Sequence, residues 1–419
     1  MASIARKNLF EDIPRFLVAQ AGVMFAVSLV SIQTGILNGF TRSTALLIDQ
    51  SRADLWVADE KMVYFELTKP LAAGQLTQVQ QMPGVDRAEP IVLQGGRWDS
   101  PNSPEISSVR IIGFDPRGQL FNLPSFTAGN LRDLRDPYTI AIDKANLDSL
   151  HLSNIGDSST INSAPAKLVG ITQTTQSIAS SPFIFTSVET ANAYATAGLT
   201  SQVSCDVPSD GGDLLCTTRY ERPPASSERS PQIQPPKPLS ATDPITYILV
   251  RVEAGQDLNV IKQQIESTLP RTRVYTRSGM SDRTRTYWQQ RTGIGFILGL
   301  GATVGVIVGM VIVGQILYSS VADHLKEFGT LKAMGASNWV IYRIIIEQAL
   351  WMAVLGYIPS LGLCLGLGAW TFATQGITIL ITPLTATGLL GLTIVMCVGS
   401  ALFAIQKITH VDPAIVFKA

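Results

Sequence analysis

Three histidines (His151, His324, His410) and four cysteines (Cys205, Cys216, Cys364, Cys397) are the residues of this 419-residue chain best suited by type to bind a transition metal or to act as base and nucleophile. Their spacing suits neither task. A zinc site draws on ligand pairs a few residues apart, whereas these residues are scattered singly. His151 lies between Leu150 and Leu152 with no G-x-S-x-G elbow nearby, so a hydrolase would lack a base, nucleophile and orienting group in one place. Nucleotide chemistry has no address either: the sequence contains no Walker A motif and not even a Gly-Lys dipeptide, so no P-loop can cradle phosphates. Cys205 and Cys216 fall in a segment where an oxidising compartment would permit a loop-closing disulfide, the alternative being two unpaired thiols in a mobile loop. Cys364 and Cys397 sit in apolar stretches and read as packing residues.

The elements that must position these residues are mostly apolar. The chain is 46% hydrophobic and 15% charged, with a mean hydropathy of +0.23, whereas soluble domains carry about 25% charged residues. Residues 16–41, 292–322 and 348–406 contain no Asp, Glu, Lys, Arg or His. A helix needs roughly 20 apolar residues to cross hydrocarbon, so the first two stretches hold one span each and the third holds two. Transmembrane helices are expected at 17–40, 292–318, 344–370 and 385–406.

Arg6, Lys7 and Arg15 precede the first span, Lys326, Lys332 and Arg343 separate the second from the third, and Lys407 and Lys418 follow the fourth. The 371–384 connection has no base. The positive-inside rule therefore places both termini (1–16 and 407–419) and the 319–343 loop in the cytoplasm of a multi-pass inner (plasma) membrane protein, with 41–291 outside. The long first apolar core and the acidic Glu11 and Asp12 before it read as a retained anchor, not a cleaved signal peptide. Upstream, the alternation from Ile4 to Phe16 suits an interfacial amphipathic helix, or equally a frayed polar tail. A net charge of zero offers nucleic acid no basic field.

The expected fold is four transmembrane helices with a large α+β extracytoplasmic domain between the first and second. Leu55 to Ala58, Gly74 to Met82 and Val85 to Leu93 read as strand, helix and strand, and so do Ile245 to Val252, a helix capped by Asp257 and running to Leu269, and Arg273 to Thr276. These two β-α-β units, within 54–95 and 245–291, are the halves of a split ferredoxin-like subdomain. Short β-prone runs between Val109 and Thr186 predict a mostly β insertion over 96–203. The Pro-rich stretch 204–244 reads as an excursion or disordered loop.

Two motifs remain. Gly301, Gly305 and Gly309 repeat every four residues, a small-residue face that allows close helix approach, either between two copies of the chain or within one four-helix unit. The cytoplasmic loop from Val321 to Asn338 is charged and amphipathic, with Leu325, Phe328 and Leu331 on one face, Gly335 as a helix stop and Ser337 or Asn338 capping the next helix.

The run Glu327-Phe328-Gly329-Thr330-Leu331-Lys332-Ala333-Met334-Gly335-Ala336, followed by Glu347, resembles the E-[FY]-x-x-L-[KR]-A-[ML]-G signature of FtsX/MacB-type (type VII) ABC transporter permeases. Gly314 to Tyr318, Asp323-His324-Leu325, Tyr287-Trp288, Asp412-Pro413-Ala414, Asp54 to Val57, Pro83-Gly84-Val85 and Ile112 to Asp115 are similar to the cyanobacterial DevC branch. The resemblance implies a dimeric exporter permease that binds no cofactor, with ATP and Mg held by a partner ABC ATPase, a membrane-fusion adaptor and an outer-membrane tunnel as further partners, and glycolipid as the class of cargo. It implies ATPase contacts among Asp323, His324, Lys326, Glu327, Phe328, Leu331, Lys332, Ala333 and Met334, oriented by Gly335. The missing Walker A motif is expected to set this chain apart from MacB proper, where an ATPase is fused ahead of the first span. The Pro-rich segment is longer than that branch leads one to expect.

Export by transmitted motion is thus the leading reading, with a non-catalytic permease, and lipoprotein release or FtsX-like signalling without transport are the alternatives. Charge is nearly missing from the spans, which disfavours an ion relay. Glu347 is the exception and is expected to pair with Lys332 or Arg343.

Overall fold

The computed structural model describes residues 13–123, 126–197, 200–206, 215–221, 235–291, 293–323, 327, 330, 334–375 and 379–409. Residues 1–40 and 289–419 form a helical unit, and residues 41–288 form a sheet unit. In chain order, the long helix α1 (Ile13–Thr44) is followed by α2 (Leu46–Gln50), β1 (Leu55–Asp59), β2 (Leu71–Ala72), α3 (Ala73–Gln80), β3 (Val85–Asp99) and β4 (Ile106–Phe114). Next come β5 (Phe126–Gly129), β6 (Thr139–Asp143), β7 (Ser158–Ile161), β8 (Ala164–Thr172), β9 (Phe183–Ser187) and α4 (Val188–Thr196). The strands β10 (Thr200–Asp206), β11 (Leu215–Glu221), β12 (Pro244–Ile245) and β13 (Tyr247–Val252) precede α5 (Leu258–Thr268), β14 (Thr272–Thr276) and α6 (Arg277–Arg291). Three long helices end the described chain: α7 (Ile294–Asp323), α8 (Asn338–Gln375) and α9 (Pro383–Thr409).

Alternation dictates the first part of the sheet. Along β1, Leu55 and Val57 point to one buried cluster and Trp56 and Ala58 to another, and along β13 Ile248 and Val250 part from Tyr247 and Leu249 in the same way. Both faces are therefore covered. Helices α3 and α5 pack on the first face through Val79, Ile261 and Ile265, and α5 starts where the Asp257 carboxylate accepts from Asn259 N at 2.8 Å. On the second face, Tyr247 donates its hydroxyl to Phe65 O at 2.6 Å. Burial, with Glu66 nearby, pushes the Tyr247 phenol well above its ordinary pKa, so it stays a donor.

The spatial order is β14-β1-β13-β3, with every neighbour antiparallel. In chain order these are the fourth, first, third and second strands of two β-α-β units, the ferredoxin-like arrangement read from the sequence. The insertion does not form a sheet of its own. β3 pairs with β13 from Val85 to Ile91 and with β4 from Ile91 to Asp99, so the ten-stranded sheet continues as β4-β9-β6-β8-β5, with β7 bridging β3 and β8. The free edge of one 15-residue strand recruits the insertion. Trp98, near the end of that strand, is fully buried and donates Nε1–H to Leu150 O at 3.0 Å.

Two further elements lie where the sequence predicts no regular structure of that kind. The start of the Pro-rich stretch is paired backbone: β10 and β11 form an antiparallel hairpin in register from Thr200 opposite Glu221 to Asp206 opposite Leu215, because Thr, Val, Ser and Tyr outweigh proline locally. Residues 207–214 and 222–234 lie outside the described residues. Helix α4 follows β9 with Ser187 Oγ accepting from Thr190 N at 3.2 Å, a cap the short apolar pattern hides. Helix α6 closes the second ferredoxin-like half and precedes the second span in the chain.

Replacing Trp98 with alanine removes a buried indole shared by both parts of the sheet and should cost about 3–5 kcal/mol. Trp98→Phe, which mainly loses the hydrogen bond, should cost about 1 kcal/mol. Thermal unfolding of the purified chain in detergent checks both.

Candidate functional site

Four helical segments are long and apolar enough to cross a membrane: Phe16–Thr44, Ile294–Ala322, Asn338–Thr374 and Pro383–Leu402. They agree with the expected spans apart from their ends. Between the second and third, α7 ends at Asp323 and α8 begins at Asn338. Met334 N donates to Thr330 O at 3.0 Å and Met334 itself is 72% exposed. Gly335 follows with φ of +92° and nothing within 4 Å of where a side chain would start. Only glycine takes that left-handed turn without strain. Ser337 O accepts from Val340 N at 3.0 Å as α8 starts.

Glu327 is exposed. His324, Lys326, Phe328, Leu331, Lys332 and Ala333 lie outside the described residues. Glu347 is half-buried and Arg343 exposed, and among the described residues the expected ion pair between them is not formed. One helical turn separates them, but Arg343 points to the surface.

The glycine series faces α1 of the same chain. A side chain at Gly301 would meet Gln33, one at Gly305 would meet Leu29 and Val30, and one at Gly309 would meet Ala26 and Met396. Residue numbers fall along α1 as they rise along α7, so the two helices are antiparallel. A second small-residue series, missed in the sequence, lies on α8: Gly356 abuts Gln20 and Val23, Ser360 Oγ donates to Met24 O at 3.3 Å, and Cys364 Sγ donates to Ser28 O at 3.7 Å. Its four-residue spacing was legible, but serine and cysteine disguised it. Helix α9 packs parallel to α7, with Ser400 Oγ donating to Met310 O at 2.8 Å.

The opposite face of α7 is bare: Phe296, Ile297, Leu300, Val304, Ile307 and Val311 are exposed at helical spacing. Inside the bundle, both amide atoms of Gln20 are buried with no partner among the described residues.

The sheet unit offers no catalytic constellation among its described residues. His151 is an exposed turn residue with φ of +54°. No group of three metal-ligating side chains occurs among the described residues. A cleft of about 520 Å³ is lined in part by Asp86, Glu89, Asp115 and Glu189, but the buried Glu89 is committed to Gln119 N at 2.7 Å and Leu120 N at 2.9 Å. Cys205 and Cys216 are directly opposed in the β10–β11 register.

Residues 299–413 match the family profile "FtsX-like permease C-terminal" and residues 16–268 match "MacB-like periplasmic core domain". Uncharacterized ABC transporter permeases of Mycobacterium bovis and Mycobacterium tuberculosis are 22% identical over 402 residues, covering 96% of this chain and 94% of theirs. Among solved structures, the periplasmic region of MacB from Actinobacillus actinomycetemcomitans is similar at TM-score 0.33 and 10% identity, covering 57% of this chain and 94% of that one. The extracellular domain of the transporter YknZ from Gram-positive bacteria is similar at TM-score 0.31 and 8% identity, covering 54% and 99%.

A leucine at Gly305 would press on Leu29 and Val30 and should destabilise the helical unit by about 1–3 kcal/mol. Gly299→Leu, where nothing lies within 4 Å, should change stability by no more than about 0.5 kcal/mol. Melting midpoints in detergent separate the two. Opposed residues of an antiparallel pair lie about 4.5–5.5 Å apart, within disulfide reach, so Cys205 and Cys216 should escape alkylation until a reductant is added, as read by intact mass.

Proposed function

The chain belongs to the FtsX/MacB-type permeases of ABC transporters, and from that membership we propose that it passes the closure of a separate ABC ATPase through its membrane helices to its periplasmic domain. An ABC permease needs an ATPase, and the missing P-loop supports placing it on a separate chain. ATP and Mg would be handled there.

One observation carries the reading. The helices α1 and α7, which flank the sheet unit in the chain, touch along Gly301, Gly305 and Gly309, so a displacement of one is felt by the other through direct contact. At the cytoplasmic end we assign the ATPase contact to Asp323, His324, Lys326, Glu327, Phe328, Leu331, Lys332, Ala333 and Met334, aimed by the Gly335 turn. The exposure of Glu327 and Met334 supports this. Both termini and the loop face the cytoplasm in this reading, following the basic residues.

The uncharged spans argue that cargo does not thread the four helices. The DevC-like fragments support a tripartite system with a fusion adaptor and an outer-membrane tunnel, carrying a glycolipid or another envelope substrate. A second copy completes a dimer and meets this one away from the glycine series, which α1 already occupies.

Affinity purification of the tagged chain from membranes tests the reading: an ATPase and a fusion adaptor recovered together support tripartite export, and the ATPase alone favours lipoprotein release or signalling. Glu327→Ala with Phe328→Ala, or Gly335→Val, should leave the chain in the membrane but break the link between ATP hydrolysis and export. Unchanged export from those variants would remove the coupling assignment.

A further inference from the structure

Helix α6 is the last element before α7, and one of its faces is fastened to the segment that has just left α1. Arg277 N donates to Asp54 O at 3.1 Å and Arg277 Nη1 to Ser51 O at 3.0 Å. One turn on, the buried Ser281 donates Oγ–H to Asp49 Oδ1 at 2.6 Å. A further turn on, Arg285 Nη2 pairs with Asp49 Oδ2. Residues 277, 281 and 285 are spaced by four and so share a face. Asp49 belongs to α2, which begins two residues after α1 ends, and both of its carboxylate oxygens are engaged by α6.

The neighbouring face of α6 holds the 62–67 turn. Arg283 Nη2 donates to Met62 O at 2.9 Å, Thr284 Oγ1 accepts from Phe65 N at 3.3 Å, and Tyr287 stacks on Tyr64 with centroids 4.1 Å apart. Beneath the polar contacts, Met280 packs in one cluster with Leu47 and Ile48. The apolar contacts account for folding. The Asp49–Arg285 pair, about one third exposed, contributes little to stability; what a two-point carboxylate clasp contributes is direction.

We propose that Asp49, held by Ser281 and Arg285, is the positioning joint that fixes the 45–54 link to α6, so that the entry and the exit of the sheet unit's chain respond as one piece. The proposal rests on the transmission reading above. Asp49 and Arg285 are positioning residues and touch no substrate.

The test uses the full chain in lipid nanodiscs with the ATPase recovered by co-purification, and follows hydrogen exchange with and without ATP and vanadate. In the native protein, trapping should change exchange both in the membrane helices and in α6 and β1. In Asp49→Asn with Arg285→Ala, the helix response should persist with unchanged basal ATPase activity, while the response in α6 and β1 falls by about fivefold or more, the lower end of ordinary coupling between sites. The charge-exchanged pair, Asp49→Arg with Arg285→Asp, should restore part of it. A double variant that responds like the native protein overturns the joint, as does one whose sheet unit loses protection even without ATP, since the clasp would then be a folding contact. A native protein with no ATP-dependent response in its sheet unit overturns the transmission reading itself, and the joint with it.

Discussion

Hydrocarbon supplies no hydrophobic force between helices, so α1 is held by van der Waals contact and a few hydrogen bonds wherever its neighbours carry small side chains. Gly301, Gly305 and Gly309 open one flank of α1 to α7, and Gly356, Ser360 and Cys364 open the other to α8. Larger residues at these six positions would push the helices apart and forfeit the contacts that fill the bundle core around Val23, Ala26, Val313 and Ala349. The price of that close approach is visible in Gln20, whose polar atoms are shut away from water.

The sheet unit solves a different problem, that of enclosing a long sheet on both faces. Strand β3 is the shared member: its first half completes the ferredoxin-like set with β13, and its second half starts the insertion with β4. A sheet that runs continuously through both parts is stiffer than two subdomains joined by a linker would be.

Among the described residues of the sheet unit no catalytic constellation and no group of three metal-ligating side chains comes together. Membership in a family of ABC transporter permeases implies an ATPase partner.

Local patterns were enough to read the spans, the two β-α-β halves and the turn at Gly335, because each depends on composition or on spacing over a few residues. Helix α4 and the β10–β11 hairpin escaped notice since their local signals are weak, a single serine cap in one case and a proline-rich surrounding in the other. The partner of the glycine series was open in the sequence: spacing shows that a face is small but not which helix will fill it. Only tertiary structure decided that α1 fills it, that the insertion joins the ferredoxin-like sheet, and that Asp49 finds Arg285 across 236 positions of chain. Contacts at such separations follow from how whole elements pack, and no local propensity encodes them.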